Sequence, residues 1–252
     1  MSKNTSSANT LFHFTKSIET ITSILTNGFY PRYCMEEFEY IDKVREKEFS
    51  IPMVCFCDIP LSEIKGHAEK YGENAIGMSK DWGKLEGINP VLYTTKQSLS
   101  TKLLNDITNE LFKHALNSGV AYPYMVEFMA VYMKPYEGNR WNGRTNEFDG
   151  EFTRFYDERE WRYVPKLMGD SWLYKKDFLV EDMRNKFNDR MAKQSKLKFT
   201  PNDINYIIVE SDDKVLEMAN EIMRIGENTY TPDELTELTT KILSMERVLE
   251  DF

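Results

Sequence analysis

The chain has 252 residues, a formal net charge of −9 at pH 7, and contents of 41% hydrophobic and 13% aromatic residues. A chain of this length and composition can bury a full core as one large domain or two small ones, which excludes an intrinsically disordered protein. The acidic balance repels a phosphate backbone, so non-specific nucleic-acid binding is not expected.

Cysteine content and hydropathy indicate the compartment. The three cysteines, Cys34, Cys55 and Cys57, are odd in number and unsuited to a disulfide framework, which favours a reducing environment. No apolar run approaches the roughly 18 residues that a membrane helix needs, and residues 1–9 predict a polar, frayed tail without a signal-peptide core. We therefore expect a cytoplasmic protein that makes no membrane contact.

The first predicted unit is a strand followed by a helix. Residues 10–15 are rich in aromatic and β-branched types and predict a buried strand. Ser17 can cap the helix that follows, and isoleucine and leucine residues at helical spacing form one face of it. Gly28, after Asn27, ends the helix as a left-handed cap.

The next hundred residues contain several predicted elements and one open alternative. Residues 35–48 carry apolar residues in a helical stripe and predict a surface helix or lid. Residues 52–58 predict a strand, Pro60 starts a helix that ends near Tyr71, and residues 97–118 predict a long helix. Residues 121–136 fit either a strand or a buried helix.

The C-terminal part predicts a turn leading to a charged helix over residues 172–190, a buried strand over 205–210, and helices at about 212–225 and 232–250. The last helix opens with a capping box that begins at Thr231. We expect one α+β domain over residues 10–252 with six or seven short strands.

Residues 151–165 place acidic and basic side chains together at the start of a predicted strand. Glu158 and Glu160 are two positions apart, which puts them on the same side of a strand. Charged groups are rarely buried unless they are paired. The stretch is therefore either an ion-pair network with Arg159 or Arg162, or a functional site.

Three stretches resemble motifs of the ADP-ribosyltransferase superfamily, most closely its poly-ADP-ribose-polymerase-like branch. They are Leu11-Phe12-His13-Phe14-Thr15 with the helix end Ile24-Leu25-Thr26-Asn27-Gly28-Phe29, then Val54-Cys55-Phe56-Cys57-Asp58 with Tyr71 beyond, and Glu158-Arg159-Glu160. The resemblance implies an ADP-ribosyltransferase-like split β-sheet core with surrounding helices. It implies NAD as a substrate and a protein or nucleic-acid acceptor for ADP-ribose, or hydrolysis of NAD.

The same resemblance implies a role for each matching residue. Cleavage of the bond between ribose and nicotinamide develops positive charge, which a carboxylate stabilises. Glu160 would hold that role and Glu158 would orient or deprotonate the acceptor. His13 would bond the ribose with support from Thr15, and Tyr71 would stack on nicotinamide.

Each of these residues also has a purely structural interpretation. His13 fits a hydrogen-bonded core histidine, and Tyr71 fits a core aromatic whose stacking role Tyr93 or Tyr124 could take instead. Glu160 fits an ion pair with a neighbouring arginine. No metal is predicted, because Cys55 and Cys57 match no zinc-ligand spacing and fit buried thiols better.

From Leu11 to Glu210 the chain more closely resembles the AbiGi-type abortive-infection proteins of phage defence. The residues that carry this resemblance are Leu-Phe-His-Phe-Thr, Cys-Phe-Cys-Asp-Ile-Pro-Leu, Lys80-Asp81-Trp82, Asn-Pro-Val-Leu-Tyr and Arg-Glu-Trp-Arg. The two resemblances together imply a phage-defence protein that transfers ADP-ribose from NAD to a macromolecular acceptor. The alternative is a non-catalytic antitoxin or sensor bound to a cognate protein of a toxin–antitoxin pair. Phe14 favours that alternative, because it replaces a small residue of the polymerase-like motif and would crowd a nicotinamide pocket.

Overall fold

The computed structural model describes residues 9–42, 47–118, 129–166, 172–226 and 229–251. Most of the expected tail and residues 121–128 of the ambiguous segment lie outside these ranges. The chain divides into two compact units. The first contains Met1–Tyr30, Cys55–Asn89 and Lys196–Phe252, and the second contains Pro31–Val54 and Pro90–Ser195.

The described residues form a mixed α+β fold, as predicted. The strands are β1 Thr10–Thr15, β2 Arg32–Glu37, β3 Glu48–Cys57, β4 Asn74–Ser79, β5 Asn89–Pro90, β6 Leu92–Thr94, β7 Met133–Pro135, β8 Gly138–Asn139, β9 Phe152–Thr153, β10 Glu160–Tyr163, β11 Leu173–Tyr174, β12 Ile204–Val209 and β13 Ile242–Ser244. The α-helices are α1 Ile18–Asn27, α2 Lys65–Tyr71, α3 Lys80–Leu85, α4 Leu99–Ser118, α5 Lys175–Phe178, α6 Glu181–Gln194, α7 Asp213–Ile225, α8 Pro232–Thr240 and α9 Met245–Asp251. Short 3-10 turns cover Leu61–Glu63, Phe155–Glu158 and Pro201–Asp203.

In the first unit, a sheet is built around β1, β4 and β12. β1 pairs antiparallel with β4 and, at Phe12 and Cys57, with the end of β3. β12 pairs antiparallel with β4 and parallel with β13. Phe12 lies opposite Gly77, where a Cβ atom would come within 2.9 Å of the phenyl ring. The glycine therefore lets a large aromatic side chain lie flat on the sheet.

The strand and helix predicted at the start of the chain are confirmed. β1 has the predicted bounds, and α1 buries one apolar face. The Ser17 hydroxyl accepts a hydrogen bond from the Thr20 amide at 3.4 Å, as expected of a helix cap. Gly28 ends α1 with φ +85°, and its amide donates to the Ile24 carbonyl at 2.7 Å. Local sequence signals therefore determine this part of the first unit.

In the second unit, the helix predicted over residues 35–48 is wrong. β2 pairs antiparallel with β3, from Arg32 opposite Met53 to Glu37 opposite Glu48, and β11 pairs with β3 on its other side. The apolar positions that fit a helical stripe are too few to outweigh this ladder of long-range pairs. The strand predicted over 52–58 accordingly begins earlier, at Glu48.

The predicted C-terminal helix over residues 232–250 is interrupted. α8 begins with the expected capping box at Thr231, but β13 separates it from α9. Ile242 and Leu243 pair with Ile207 and Ile208 of β12. A parallel pairing with a strand more than thirty residues earlier is a long-range interaction, which periodicity within the helix could not predict.

Substitution of Gly28 and of Gly87 by alanine tests how much a steric clash adds to the free-energy cost of a side chain at a positive φ. A Cβ atom on Gly28 would lie 2.3 Å from the Leu197 carbonyl oxygen, whereas Gly87, with φ +72°, has nothing within 4 Å. We expect Gly28→Ala to lower the free energy of unfolding by about 3 kcal/mol or more, and Gly87→Ala by only about 1 kcal/mol. Urea denaturation of both variants measures the difference, and equal losses would contradict the steric explanation.

Candidate functional site

The acidic residues predicted as a site lie at the start of β10 in the second unit. Burial alternates along β10, so that Glu160 and Arg162 face inward and are 5% and 0% exposed. Glu158 ends the 3-10 turn before β10 and is 6% exposed. Arg159 separates the two carboxylates with a left-handed backbone, φ +43°, which is uncommon outside glycine. Strand alternation therefore directs Glu160 inward, whereas Glu158, which was predicted on the same strand, is directed inward by the turn that precedes it.

Lys134, on β7, joins the two carboxylates. Its ammonium donates to Oε2 of Glu158 and to Oε2 of Glu160, each at 2.9 Å. The same ammonium lies 4.6 Å from the ring centroid of Phe155, within the range of a cation–π interaction. The lysine therefore replaces its hydration shell with two anions and an aromatic face.

Arg162 satisfies its guanidinium within the same cluster. Nε donates to Oε1 of Glu160 at 2.6 Å, and Nη2 donates to Oε2 of that residue at 3.1 Å. Nη2 also donates to Oε2 of Glu36 on β2 at 2.9 Å, and Nη1 donates to the Val131 carbonyl at 2.9 Å. The bidentate bond to Glu160 uses the planar geometry that arginine has and lysine lacks.

The backbone of Glu160 is held as firmly as its side chain. Its amide donates to the hydroxyl oxygen of Tyr93 at 2.8 Å, and its carbonyl accepts from the Val91 amide at 2.9 Å. Burial raises the pKa of Tyr93 above its ordinary value, so the phenol stays neutral. Glu160 therefore has no freedom to move without breaking several bonds.

The ion-pair network contains Glu36, Lys134, Glu158, Glu160 and Arg162. With all five charged it carries three negative and two positive charges. Burial opposes the ionisation of Glu160, but the charges and hydrogen bonds of Arg162 and Lys134 lower its pKa below the usual value. Burial also disfavours the Lys134 ammonium, but the three carboxylates raise its pKa well above the usual value. The charged forms stabilise one another.

Cys34 on β2 lies in the same electrostatic environment. Burial, followed by the carboxylate of Glu36, raises the pKa of the Cys34 thiol to about 12. A thiol with this pKa is protonated at neutral pH and is a poor nucleophile. The three cysteines are only partly buried, whereas the sequence predicted buried thiols, and they form no disulfide in the part of the chain that the structure describes.

The predicted NAD-contacting residues belong to the first unit. His13 donates through Nδ1 to the Cys55 carbonyl at 2.8 Å, and its ring lies edge-on to Phe29 with centroids 5.3 Å apart. Burial lowers the pKa of His13, partly offset by this hydrogen bond. Thr15 ends β1 and is buried, and Tyr71 ends α2. Their roles toward NAD stay predictions.

The structure thus places the predicted residues in two groups. Glu158 and Glu160 meet at Lys134 in the second unit, while His13, Thr15 and Tyr71 lie in the first. Of the two arginines considered as ion-pair partners of Glu160, Arg162 is paired with it, and Lys134 is a second cation that was not considered.

The sequence interpretation missed Lys134 and Glu36. Lys134 follows the apolar residues 129–133, and a charged residue beside such a run is a signal that it is paired. Glu36 lies in the stretch that was predicted as a surface helix, so no buried partner was expected for it. Both residues join the network through contacts with β10 that are remote in sequence.

No group of three or more metal-ligating side chains occurs within residues 9–42, 47–118, 129–166, 172–226 and 229–251. Among the helices in these ranges, none is long and apolar enough to span a membrane.

The fold and the network define a mixed α+β protein whose second unit encloses a set of paired charges. A family model described as "Putative abortive phage resistance protein AbiGi, antitoxin" matches residues 27–210. Abortive phage resistance protein AbiGi of Lactococcus lactis subsp. cremoris is 31% identical over 248 residues, which cover 89% of this chain and all of that protein. The chain therefore belongs to the AbiGi family of abortive phage resistance proteins. No solved structure matches it.

The family comparison confirms the AbiGi-type resemblance predicted from the sequence. The ADP-ribosyltransferase motif pattern, with its NAD site and split-sheet core, is a finer prediction that the family comparison does not test.

Replacement of Lys134 tests the stabilising role of the network. Lys134→Met removes a cation that two carboxylates share, and we expect it to lower the free energy of unfolding by about 3–5 kcal/mol. Lys113→Met is the matched control, because the Lys113–Glu110 pair is exposed and should leave stability unchanged. Adding Glu158→Gln to Lys134→Met should restore part of the loss, since one uncompensated charge disappears. No difference between the Lys134 and Lys113 variants in urea denaturation would contradict this role.

The pH dependence of stability tests the charge state of Glu160. Its folded pKa lies below the ordinary 4.5, so the ionised carboxylate stabilises the fold above about pH 4.5, and this contribution is lost as the pH falls further. We expect Glu160→Gln to be less stable than wild type at pH 7, and the gap to narrow steadily on acidification toward about pH 3. The free energy of unfolding of both proteins is measured across this pH range. A difference between them that stays constant would show that the carboxylate is not ionised in the fold.

Proposed function

We propose that this chain is the antitoxin of a two-gene abortive-infection system, a non-catalytic protein that binds and restrains a toxin encoded with it. The observation that carries the proposal is membership in the AbiGi family, whose model describes an antitoxin. The relative from Lactococcus lactis subsp. cremoris is named only as an abortive phage resistance protein, which is compatible with either partner of such a pair.

The state of Glu160 supports a binding role over a catalytic one. A carboxylate that stabilises a cationic transition state must present an oxygen to the substrate. Both oxygens of Glu160 already accept hydrogen bonds, Oε1 from Arg162 and Oε2 from Arg162 and Lys134, and the residue is 5% exposed. Arg162 and Lys134, at 2.6 and 2.9 Å, also neutralise the negative charge with which Glu160 would have to stabilise a cationic sugar.

The environment of His13 supports the same conclusion. Its Nδ1 is occupied by the Cys55 carbonyl, and its ring lies against Phe29 and Phe56. These contacts are those of a core histidine that connects β1 to β3. Phe14, which follows it, packs against the core that contains Phe12 and Ile64.

A binding protein benefits from the rigidity that the network provides. Arg162 on β10 is bonded to Glu36 on β2 and shares Glu160 with Lys134 on β7. Three strands are therefore held in one arrangement before any partner arrives. Preorganisation of this kind reduces the entropy lost on association and so increases affinity.

A second candidate is transfer of ADP-ribose from NAD to a protein or nucleic-acid acceptor, or hydrolysis of NAD. The observation that favours it is the pair of carboxylates meeting at one ammonium, with the left-handed Arg159 between them. Uncommon backbone conformations cluster at functional sites. In this candidate Glu160 stabilises the oxocarbenium-like sugar and Glu158 orients the acceptor.

Two measurements with the purified protein separate the candidates. As an antitoxin, the chain should form a stable complex with the product of the neighbouring gene, and its co-expression should relieve growth arrest caused by that product alone. Incubated with labelled NAD, it should release no nicotinamide, either as wild type or as Glu160→Gln.

Release by the wild type that disappears in Glu160→Gln would establish the enzyme instead. Release that survives the substitution would assign the reaction to another residue. A neighbouring gene product that neither binds this chain nor arrests growth would contradict the antitoxin proposal.

A further inference from the structure

The negative charge of the protein is concentrated near its C-terminus. Residues 210–252 contain twelve acidic and four basic residues, so this sixth of the chain carries −8 of the net −9. The remaining residues are nearly neutral as a set. A charge asymmetry of this size is a sequence-level sign of an interaction region, because the field of clustered like charges attracts an oppositely charged partner.

α7 presents an unpartnered apolar face within this region. Met218 and Ile222 are fully buried and attach the helix to the first unit. Leu216 and Met223 lie on the opposite side and are 71% and 52% exposed. They are seven positions apart, or two helical turns, and therefore share one face.

Acidic side chains surround this face. Asp213 lies three positions before Leu216, which places it on the same side of the helix, and it is exposed. Asp212, just before the helix, is also exposed but is paired with Arg247 at 2.9 Å. Glu217 is exposed on the flank. Within α7, Lys214 pairs with Glu217 at 2.8 Å and Arg224 pairs with Glu221, so each of these pairs offsets one acidic charge with one basic charge.

Charge selects among the possible occupants of this face. A second copy of the chain in a two-fold dimer would bring the same acidic patch against itself, which costs repulsion. Nucleic acid and anionic membranes carry the same sign of charge and are repelled as well. A basic protein surface is complementary to the acidic rim, which includes Asp213 and Glu217, and its apolar atoms can cover the centre formed by Leu216 and Met223.

We propose that the exposed face of α7, centred on Leu216 and Met223, is a docking surface for a basic surface of the toxin. An apolar centre with a charged rim is the usual anatomy of a protein–protein interface. This inference rests on the proposed antitoxin function and names the surface through which it acts.

Removal of the apolar centre is the first test, with the purified product of the neighbouring gene as the probe. We expect Leu216→Ser combined with Met223→Ser to raise the dissociation constant about tenfold or more, with an unchanged melting temperature. Leu99→Ser combined with Leu103→Ser is the matched control. Those leucines on α4 are 70% and 51% exposed but have no excess of acid around them, and their replacement should leave binding unchanged.

Neutralisation of the rim is the second test. Asp213→Asn combined with Glu217→Gln should weaken binding several-fold and flatten its dependence on salt, because charge complementarity is screened by ions. Asp106→Asn combined with Glu110→Gln, two exposed acids of α4, serves as the control and should change neither quantity.

The outcomes separate this inference from the function on which it rests. Tight binding by the wild type that neither α7 pair weakens overturns the docking surface and leaves the antitoxin function standing. Equal weakening by the α4 control pairs also overturns it. Absence of any complex with the wild type overturns the antitoxin function and the docking surface together.

Discussion

The second unit depends on the pairing of Glu160 with Arg162 and Lys134. Each of these charges would be costly to bury alone, and the cost is offset only because every charged atom has a partner at hydrogen-bond distance. Since Arg162 also bonds Glu36, the same pairing ties β2, β7 and β10 to one another. The charges can be buried only when these three strands lie together. Once the charges are buried, separating the strands would leave them unpaired, so the network holds the strands in place.

This dependence changes the meaning of the acidic motif. Two glutamates separated by one residue are compatible with a catalytic pair and with an ion-pair network, and their spacing cannot distinguish the two. The distinction lies in what the carboxylate oxygens contact. Because Glu160 is enclosed by cations within its own fold, the features that remain open to other molecules are on the surface, and α7 combines an exposed apolar face with strong negative charge.

Elements that depend on neighbouring residues were predictable. β1 and α1 carry their own signals, a short β-branched run and a serine cap with an apolar face, and both occur where expected. β2 and β13 were mistaken for parts of helices, because each is a strand only through its pairing with a strand remote in the chain. Lys134 and Glu36 were missed for the same reason, since their partners lie 24 or more positions away.

The sequence by itself determined the mixed α+β class, the early strand and helix, the acidic charge of the C-terminal region and the family. These properties depend on composition, local periodicity and the order of short motifs. Only the tertiary structure decided that Glu158 and Glu160 meet at Lys134, and that Leu216 and Met223 stay exposed. Both facts depend on which strands and helices come together, and the free energy that selects those contacts comes from residues far apart in the chain.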